Sequence, residues 1–179
     1  MKATGIVRRI DDLGRVVIPK EIRRTMRIHE GDPLEIYTTR EGEVIFKKYS
    51  LINGLEDFAS QLCDVLNRTT GLTAAITDRD AVIAAAGSGK RELLGKQLSP
   101  ALEQLMDQRS TYCQSATEPP LYCSDSAHSS AVATAAPILC QGDVLGSVLL
   151  FTAEGHSTGE LENTLAQMVA AFLGRHMEN

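Results

Sequence analysis

The stretch "GRVVIPKEIRRTMRI" at residues 14–28 concentrates positive charge in a chain that is acidic overall. It holds five Lys and Arg side chains and one Glu, whereas the 179 residues together carry a formal net charge of −5. Residues 1–50 contain 11 Lys and Arg against 8 Asp and Glu, and residues 51–179 contain 7 against 15. This asymmetry predicts a basic binding module joined to a second, acidic unit.

Helical spacing predicts that the basic side chains of this stretch share one surface. A helix is expected over residues 19–26, because Pro19 suits a first turn and apolar residues recur every fourth position. The cations fall at i, i+3, i+4 and i+7, and these are Lys20, Arg23, Arg24 and Arg27. Like charges on one helical face cost roughly 0.2–0.5 kcal/mol per pair, which an anionic partner would offset. The pattern therefore favours nucleic-acid binding, with a solvated charged face as the alternative.

Short strands are predicted around this helix. Runs rich in β-branched residues indicate strands at residues 4–10 and 15–18, joined by the turn "DDLG", in which Gly14 can adopt positive φ. Residues 34–39 and 43–49 have the pattern of a hairpin around "REG". A fifty-residue unit with few apolar side chains buries little surface, and no Cys precedes Cys63 to supply a disulfide or a metal site. We therefore expect the first unit to be stable as a dimer.

The remainder of the chain has the pattern of an α+β domain. An amphipathic helix is predicted over residues 51–68, two strands around the turn "DRD" within 72–87, and a helix within 98–110 that Ser99 caps. Strands follow at 131–140 and 143–153, and Ser157 has capping-box spacing to Glu160. The last helix is expected to turn one apolar face to the core, formed by Leu161, Leu165, Met168, Phe172 and Leu173. This order predicts two terminal helices around an antiparallel sheet.

The sequence lacks the motifs of an enzyme, a metal site or a membrane protein. The four cysteines are separated by 50, 10 and 17 residues, so reduced thiols are expected, with oxidation of Cys113 and Cys123 as the alternative. "GSGK" at residues 87–90 lacks the first Gly and the final Ser or Thr of a P-loop. No apolar run reaches the roughly 18 residues of a membrane span, and no signal peptide is evident. We expect a cytoplasmic protein with no cofactor, no metal and no catalytic residues.

Residues 4–50 resemble the AbrB-type DNA-binding domain of Gram-positive transition-state regulators, and "GRVVIPKEIRRT" at residues 14–25 is specific to that family. The C-terminal unit, with "DRD", "MDQRS" and "GDVLGSVLLF", resembles a GAF domain. The combination is similar to family members that regulate late-sporulation genes. It implies an N-terminal swapped-hairpin β-barrel formed by two chains, and a C-terminal GAF-like α+β domain with an antiparallel sheet. It also implies a first domain at 1–50 and a second at 71–179, to which a connecting helix at 51–70 belongs.

The resemblance also implies which residues contact double-stranded DNA. Carried over by position, they are Lys2, Arg8, Arg9, Arg15, Arg23, Arg24, Lys47 and Lys48. Lys20 and Arg27 are left out, because relatives are often uncharged at the first position and often have Gly at the second. The implied function is sequence-tolerant DNA binding that activates or represses transcription, in the forespore.

The resemblance further implies a homodimer through the N-terminal domain and a homotetramer through the GAF-like domain, with the helices at 51–68 and 158–177 as the second interface. GAF domains often bind small molecules, so the walls at 74–86, 94–105 and 132–139 are predicted to form either an apolar pocket for a small-molecule effector of unknown identity or a filled core. Two alternatives stay open. One is an antitoxin-like interaction module, which usually carries a disordered acidic tail. The other is a small-molecule sensor whose N-terminus only dimerises.

Overall fold

The computed structural model describes residues 5–49, 55–115, 119–125, 131–152 and 159–178. The chain divides into two compact units, Met1–Tyr49 and Ser50–Asn179. Helices and antiparallel sheets occur in both units, which confirms the predicted α+β class.

The N-terminal unit contains one short helix and one hairpin. The helix α1 spans Lys20–Thr25, and the hairpin pairs β1 (Leu34–Thr38) with β2 (Val44–Lys48). The strands are antiparallel, with Leu34 opposite Lys48 and Thr38 opposite Val44. The connecting turn requires positive φ at Gly42, which is at +84°. The predicted hairpin is therefore confirmed.

The two strands predicted before α1 do not form within one chain. Residues 5–10 and 15–19 belong to no helix or strand, and Thr4 lies outside the described residues. The turn between them does form, with the Gly14 N–H donating to the Asp11 carbonyl and Gly14 at φ +77°. Next to that turn, the Asp11 N–H donates to the Arg15 carbonyl. A strand needs a continuous ladder of backbone partners, and one copy of the chain does not supply it.

The predicted helix is shorter than its sequence pattern, and Arg27 lies beyond its end. Pro19 is the N-cap and Met26 the C-cap. The Ile28 N–H donates to the Arg23 carbonyl at 2.8 Å and the Arg27 N–H to the Arg24 carbonyl at 3.3 Å, which is a Schellman ending. Arg27 adopts φ +51°, a left-handed conformation that favours Gly. The predicted four-cation helical face is therefore wrong for Arg27.

The C-terminal unit is a five-stranded antiparallel sheet with helices on both faces. The strand order is β4-β3-β7-β6-β5. Along the chain the elements are α2 (Glu56–Thr70), β3 (Ala74–Thr77), β4 (Val82–Ala86), α3 (Lys90–Leu93), α4 (Pro100–Asp107), β5 (Tyr112–Cys113), β6 (Val132–Cys140), β7 (Asp143–Phe151) and α5 (Glu160–His176). The Ser99 side chain caps α4 as predicted, accepting a hydrogen bond from the Leu102 N–H. Residues 51–54 of the predicted first helix lie outside the described residues.

Each face of the sheet has its own aliphatic core. On one face, α2 and α5 cover alternate residues of the central strands, such as Ile76, Ile138 and Val148. On the other face, α3 and α4 cover Ala75, Leu149 and their neighbours. Side chains alternate between the two faces of a strand, so the near-continuous apolar runs of β6 and β7 are buried on both sides.

The face that α5 turns to the sheet differs from the predicted one. Of the predicted set only Leu173 is fully buried, whereas Leu161, Met168 and Phe172 are exposed. The buried residues are mostly small, and they are Ala166, Val169, Ala170, Leu173 and Gly174. A Cβ atom at Gly174 would overlap the carbonyl oxygen of Leu139 on β6, so the helix backbone lies directly against the strand. This close approach selects small residues, which a pattern of large apolar residues does not reveal.

The start of α5 also differs from the prediction. Ser157 lies outside the described residues, and Glu160 is the first helical residue rather than the third. The reciprocal bond of the capping box comes instead from Glu162, whose carboxylate accepts a hydrogen bond from the Gly159 N–H at 2.8 Å.

Candidate nucleic-acid interface

The turn before α1 holds Arg15 in a defined position. One carboxylate oxygen of Asp11 accepts hydrogen bonds from the backbone N–H groups of Leu13, at 3.1 Å, and Arg15, at 2.7 Å. The other oxygen accepts from Nε of the Arg15 guanidinium at 2.8 Å. The bonds from the Arg15 backbone and guanidinium lower the pKa of Asp11 from its usual value. The Arg15 side chain itself stays 69% exposed. Asp11 was not predicted from the sequence, although Asp at the start of a turn is a known signal for such bonds.

The helix α1 presents two adjacent guanidinium groups to solvent. Arg23 and Arg24 are both exposed, and their side chains make no hydrogen bond or ion pair within the described residues. Lys20, one turn earlier, is also exposed. The backbone carbonyls of the two arginines accept the hydrogen bonds that close the end of the helix. The backbone of Arg23 and Arg24 is therefore held in place, while their guanidinium groups lie in solvent.

Two of the other predicted contacts precede the turn. Arg8 and Arg9 are exposed, and Arg8 donates a hydrogen bond only to the neighbouring Val7 carbonyl, at 3.1 Å, within the described chain. Lys2 lies outside the described residues. The structure thus describes Arg8, Arg9, Arg15, Arg23 and Arg24 as solvent-facing cations of one compact unit.

Lys47 and Lys48 differ sharply although they are neighbours on β2. Lys47 is exposed, with Nζ 4.6 Å from the centre of the Tyr37 ring. Lys48 is only 23% exposed, and its Nζ donates to the Arg27 carbonyl at 2.6 Å and lies 3.4 Å from a carboxylate oxygen of Asp32. Asp32 is 3% exposed and also accepts from the His29 N–H at 2.8 Å. Lys48 therefore ties β2 to the turn after α1, which no sequence signal indicated.

The N-terminal unit also exposes an unusual amount of apolar surface. Val7 is 84% exposed. Other large apolar side chains that are more than half exposed are Ile10, Leu13, Val17, Ile36 and Val44. Ile28 is the only buried hydrophobic residue of this unit among the described residues. One chain alone does not cover this surface.

The walls of the predicted effector site pack together as one aliphatic cluster. Side chains from all three predicted segments meet there, among them Ala75, Val82, Ala85, Leu98, Leu102, Val132 and Ala135. Cys123 belongs to the same cluster, and burial raises its pKa to about 12. Cys113 is exposed on β5. The small-molecule effector expected between these walls stays a prediction.

Within the described ranges, no group of three or more His, Cys, Asp or Glu side chains is arranged to hold a metal ion. Of the helices in those same parts of the chain, none combines the length and the apolar character needed to cross a membrane.

Comparison with known proteins identifies both units. A family model described as the stage V sporulation protein T C-terminal transcription factor matches residues 54–178. A model described as the antidote-toxin recognition MazE bacterial antitoxin matches residues 7–51. Among solved structures, the blue-light absorbing GAF domain of PixJ from Thermosynechococcus elongatus has a TM-score of 0.55 at 11% identity, covering 73% of this chain and 89% of that one. The GAF domain of Acinetobacter phosphoenolpyruvate-protein phosphotransferase gives 0.52 at 11% identity, covering 73% and 84%.

Similarity to curated proteins extends from the N-terminal unit to the whole chain. Transition state regulatory protein AbrB of Bacillus subtilis (strain 168) is 63% identical over 49 residues, 27% of this chain and 50% of AbrB. The fold and the basic unit therefore define a class of transcription factor with an AbrB-like N-terminal unit and a GAF-like C-terminal domain. Stage V sporulation protein T of the same organism is 49% identical over 178 residues, 99% of both chains. The chain belongs to the stage V sporulation protein T family, which confirms the predicted two-part transcription regulator.

Proposed function

We propose that the protein regulates the transcription of late-sporulation genes by binding double-stranded DNA with its N-terminal unit. The observation that carries this proposal is the pair Arg23 and Arg24 on α1, both exposed and both without a side-chain partner in the described chain. Arg matches phosphates and guanine edges with two parallel hydrogen bonds. The similarity of this unit to AbrB supports the same conclusion.

The proposed contact residues are those predicted from the sequence. Arg8, Arg9, Arg15, Arg23, Arg24 and Lys47 are solvent-facing, and Lys2 is retained on the resemblance alone. Lys48 contributes chiefly by holding the turn after α1, because its ammonium group is already bound to the Arg27 carbonyl and to Asp32. Contacts dominated by phosphate supply affinity with little sequence selectivity. Activation or repression then depends on where the site lies at each promoter.

Two copies of the N-terminal unit are proposed to fold together as a swapped-hairpin barrel. The segments at 5–10 and 15–18 have strand-forming sequences but lack a ladder within one chain, and their apolar side chains other than Ile18 are exposed. A second chain would supply the missing backbone partners and cover these side chains. The pairing would also double the basic surface and match the two-fold symmetry of duplex DNA.

The C-terminal domain is proposed to join two such dimers into a tetramer. The exposed stripe on α5 contains Leu161, Met168 and Phe172, and Val65 on the neighbouring α2 is exposed as well. The centres of the Phe58 and Phe172 rings are 6.0 Å apart, so the stripe on α5 meets α2 at this pair. Burying this surface against a second copy would remove a patch that water disfavours.

We divide the chain into a DNA-binding domain at 1–50, a connecting helix at 51–70 and a GAF-like domain at 71–179. The second domain serves oligomerisation and the sensing of a small-molecule effector. The protein would act in the cytoplasm of the forespore.

An antitoxin is the second candidate, because the antitoxin family model matches residues 7–51. In that case the N-terminal unit would still dimerise, and a toxin would bind elsewhere on the chain. The described residues after residue 55 form a folded domain with two buried apolar clusters, whereas a toxin-binding tail is disordered. Copurification of a small toxin would favour this candidate.

Replacing Arg23 tests the proposed function directly. Arg23→Ala is expected to weaken binding to a labelled AT-rich duplex by about 1–3 kcal/mol, because one guanidinium no longer reaches the DNA. Arg91→Ala, which removes an exposed guanidinium from the C-terminal domain of the full chain, serves as the matched control. Unchanged affinity of a folded Arg23→Ala protein would show that Arg23 on α1 does not contact the DNA. A wild-type protein that binds a small toxin and does not bind the duplex would favour the antitoxin.

A further inference from the structure

The Asp11 carboxylate lies within a surface that the proposed function requires to be positive. A negative charge so close to phosphates should weaken DNA binding, unless it serves another purpose. Its two oxygens accept three hydrogen bonds, two from backbone N–H groups and one from the Arg15 guanidinium. This arrangement accounts for all of the polar contacts of the Asp11 side chain within the described chain.

The geometry leaves one defined edge of Arg15 available. The carboxylate occupies Nε at 2.8 Å, whereas Nη1 and Nη2 have no hydrogen-bond partner among the described residues. The Nη1 and Nη2 edge is a fork that binds phosphate oxygens or guanine O6 and N7 through two parallel bonds. A long Arg side chain at the surface otherwise samples many rotamers, and fixing it costs conformational entropy at the moment of binding.

We infer that Asp11 is a positioning residue for DNA binding, which orients Arg15 so that its free guanidinium edge meets the duplex without first being ordered. The inference rests on the DNA-binding function proposed above. The lowered pKa of Asp11 agrees with it, because the hydrogen bonds from Arg15 favour the charged carboxylate.

The neighbouring residue Asp12 provides a matched control. Asp12 is exposed and its side chain makes no hydrogen bond or ion pair within the described residues. Asp11→Asn and Asp12→Asn remove the same charge from adjacent positions. The Asn side-chain oxygen at position 11 can still accept from the Leu13 and Arg15 backbone N–H groups, so the turn is retained. Its other atom becomes an N–H donor, which cannot accept from Nε of Arg15.

The experiment measures the affinity of the full chain for an AT-rich duplex in a double-mutant cycle of Asp11→Asn with Arg15→Ala. Removal of a repulsive charge alone would tighten binding for Asp12→Asn and for Asp11→Asn equally. We expect Asp12→Asn to bind as tightly as the wild type or tighter, and Asp11→Asn to bind about two- to tenfold more weakly. In the Arg15→Ala background, Asp11→Asn should no longer weaken binding, because the side chain that it positions is gone.

Hydrogen exchange and the melting temperature of the protein without DNA distinguish a loss of Arg15 orientation from a general loss of folding. In the wild type, the Arg15 Nε–H proton is expected to exchange slowly with water and to lose this protection in Asp11→Asn, while the melting temperature stays unchanged. If Asp11→Asn behaves like Asp12→Asn, the positioning role is overturned. The inference also fails if Arg15→Ala binds like the wild type, although DNA binding itself would stand. Absence of binding by the wild type would overturn the proposed function first.

Discussion

At the scale of single residues, Lys47 and Lys48 lie on opposite faces of β2 and have different surroundings. Lys47 keeps its ammonium group at the surface beside the Tyr37 ring. Lys48 directs its ammonium group inside the unit, to the Arg27 carbonyl and the buried Asp32 carboxylate. The same distinction applies to the arginines. The guanidinium groups of Arg23 and Arg24 contact no polar group of the described residues, whereas that of Arg15 is bound to Asp11.

Replacing the two lysines in turn should affect different properties. Lys48→Ala is expected to destabilise the N-terminal unit by about 1–3 kcal/mol, because a carbonyl and a buried carboxylate lose their shared donor. Amide hydrogen exchange at Ile28 and His29 measures the free energy of local opening. Lys47→Ala should leave that exchange unchanged and weaken DNA binding. Equal exchange rates in both variants would contradict the internal role of Lys48.

At the scale of elements, α5 has apolar residues on two faces, and only one of them meets the sheet. Small residues pack against β6, and the larger Leu161, Met168 and Phe172 face outward. On α2, Val65 is exposed, and the partly buried Phe58 ring lies 6.0 Å from the Phe172 ring between their centres. The helix packs one face on the core, and in the proposed tetramer its other face meets a second copy of the chain.

A charge on the outward face of α5 tests its proposed role in assembly. Phe172→Asp is expected to convert tetramers into dimers, because a carboxylate would be buried without a partner in the interface. Gln167→Glu adds the same charge to the same helix away from the stripe and should leave the tetramer intact. Analytical ultracentrifugation reports both masses. A Phe172→Asp tetramer as stable as the wild type would place the interface elsewhere.

The elements that depend on local pattern were predictable from the sequence. The β1–β2 hairpin, the turn at Gly14 and the capped α4 follow from turn residues and periodicity, and the apolar runs of β6 and β7 predict buried strands. The inward face of α5 did not follow, because the contact of Gly174 with the Leu139 carbonyl selects small residues rather than large ones. The placement of Arg27 on one helical face with the other cations was wrong for a different reason. Arg27 adopts a left-handed conformation at the end of the helix, a position that Gly usually occupies.

The sequence predicts which cations the candidate site contains, but not the contacts that each of them makes. Charge and resemblance supplied the cations. Arg23 and Arg24 are exposed, and their contact with DNA stays a prediction. The pairing of Lys48 with Asp32 joins residues distant in sequence, so no local spacing reveals it. The strands at 4–10 and 15–18 depend on a second chain in the proposed dimer, and one sequence read alone does not distinguish internal from external partners.

At the scale of the whole molecule, the buried thiols of the C-terminal core couple stability to alkaline pH. Burial raises the pKa of Cys63 and Cys123 from 9.0 to about 12. The unfolded chain therefore loses these protons before the folded one does. The stabilisation is fully present below pH 9 and is lost as the pH rises from 9 toward about 12.

Urea unfolding at about pH 8 and about pH 10 measures this change in stability. The wild type is expected to lose more stability between the two than a Cys63→Ala/Cys123→Ala variant does. That variant starts from a lower stability at the lower pH, because each substitution leaves a small cavity. Parallel decreases in the two proteins would show that groups other than these thiols set the alkaline dependence.

In the whole protein as proposed, the N-terminal unit is a phosphate-binding surface attached to an assembly domain. Equilibrium binding to an AT-rich duplex between about 50 and about 300 mM salt tests this directly, for the wild type and for Arg23→Ala/Arg24→Ala. We expect the logarithm of the wild-type binding constant to fall steeply and linearly with the logarithm of salt. The variant should have a shallower slope, by about one unit for each phosphate that it no longer neutralises. Identical slopes for two folded proteins of equal oligomeric state, or no binding by the wild type at any salt concentration, would contradict a phosphate-binding role for this unit.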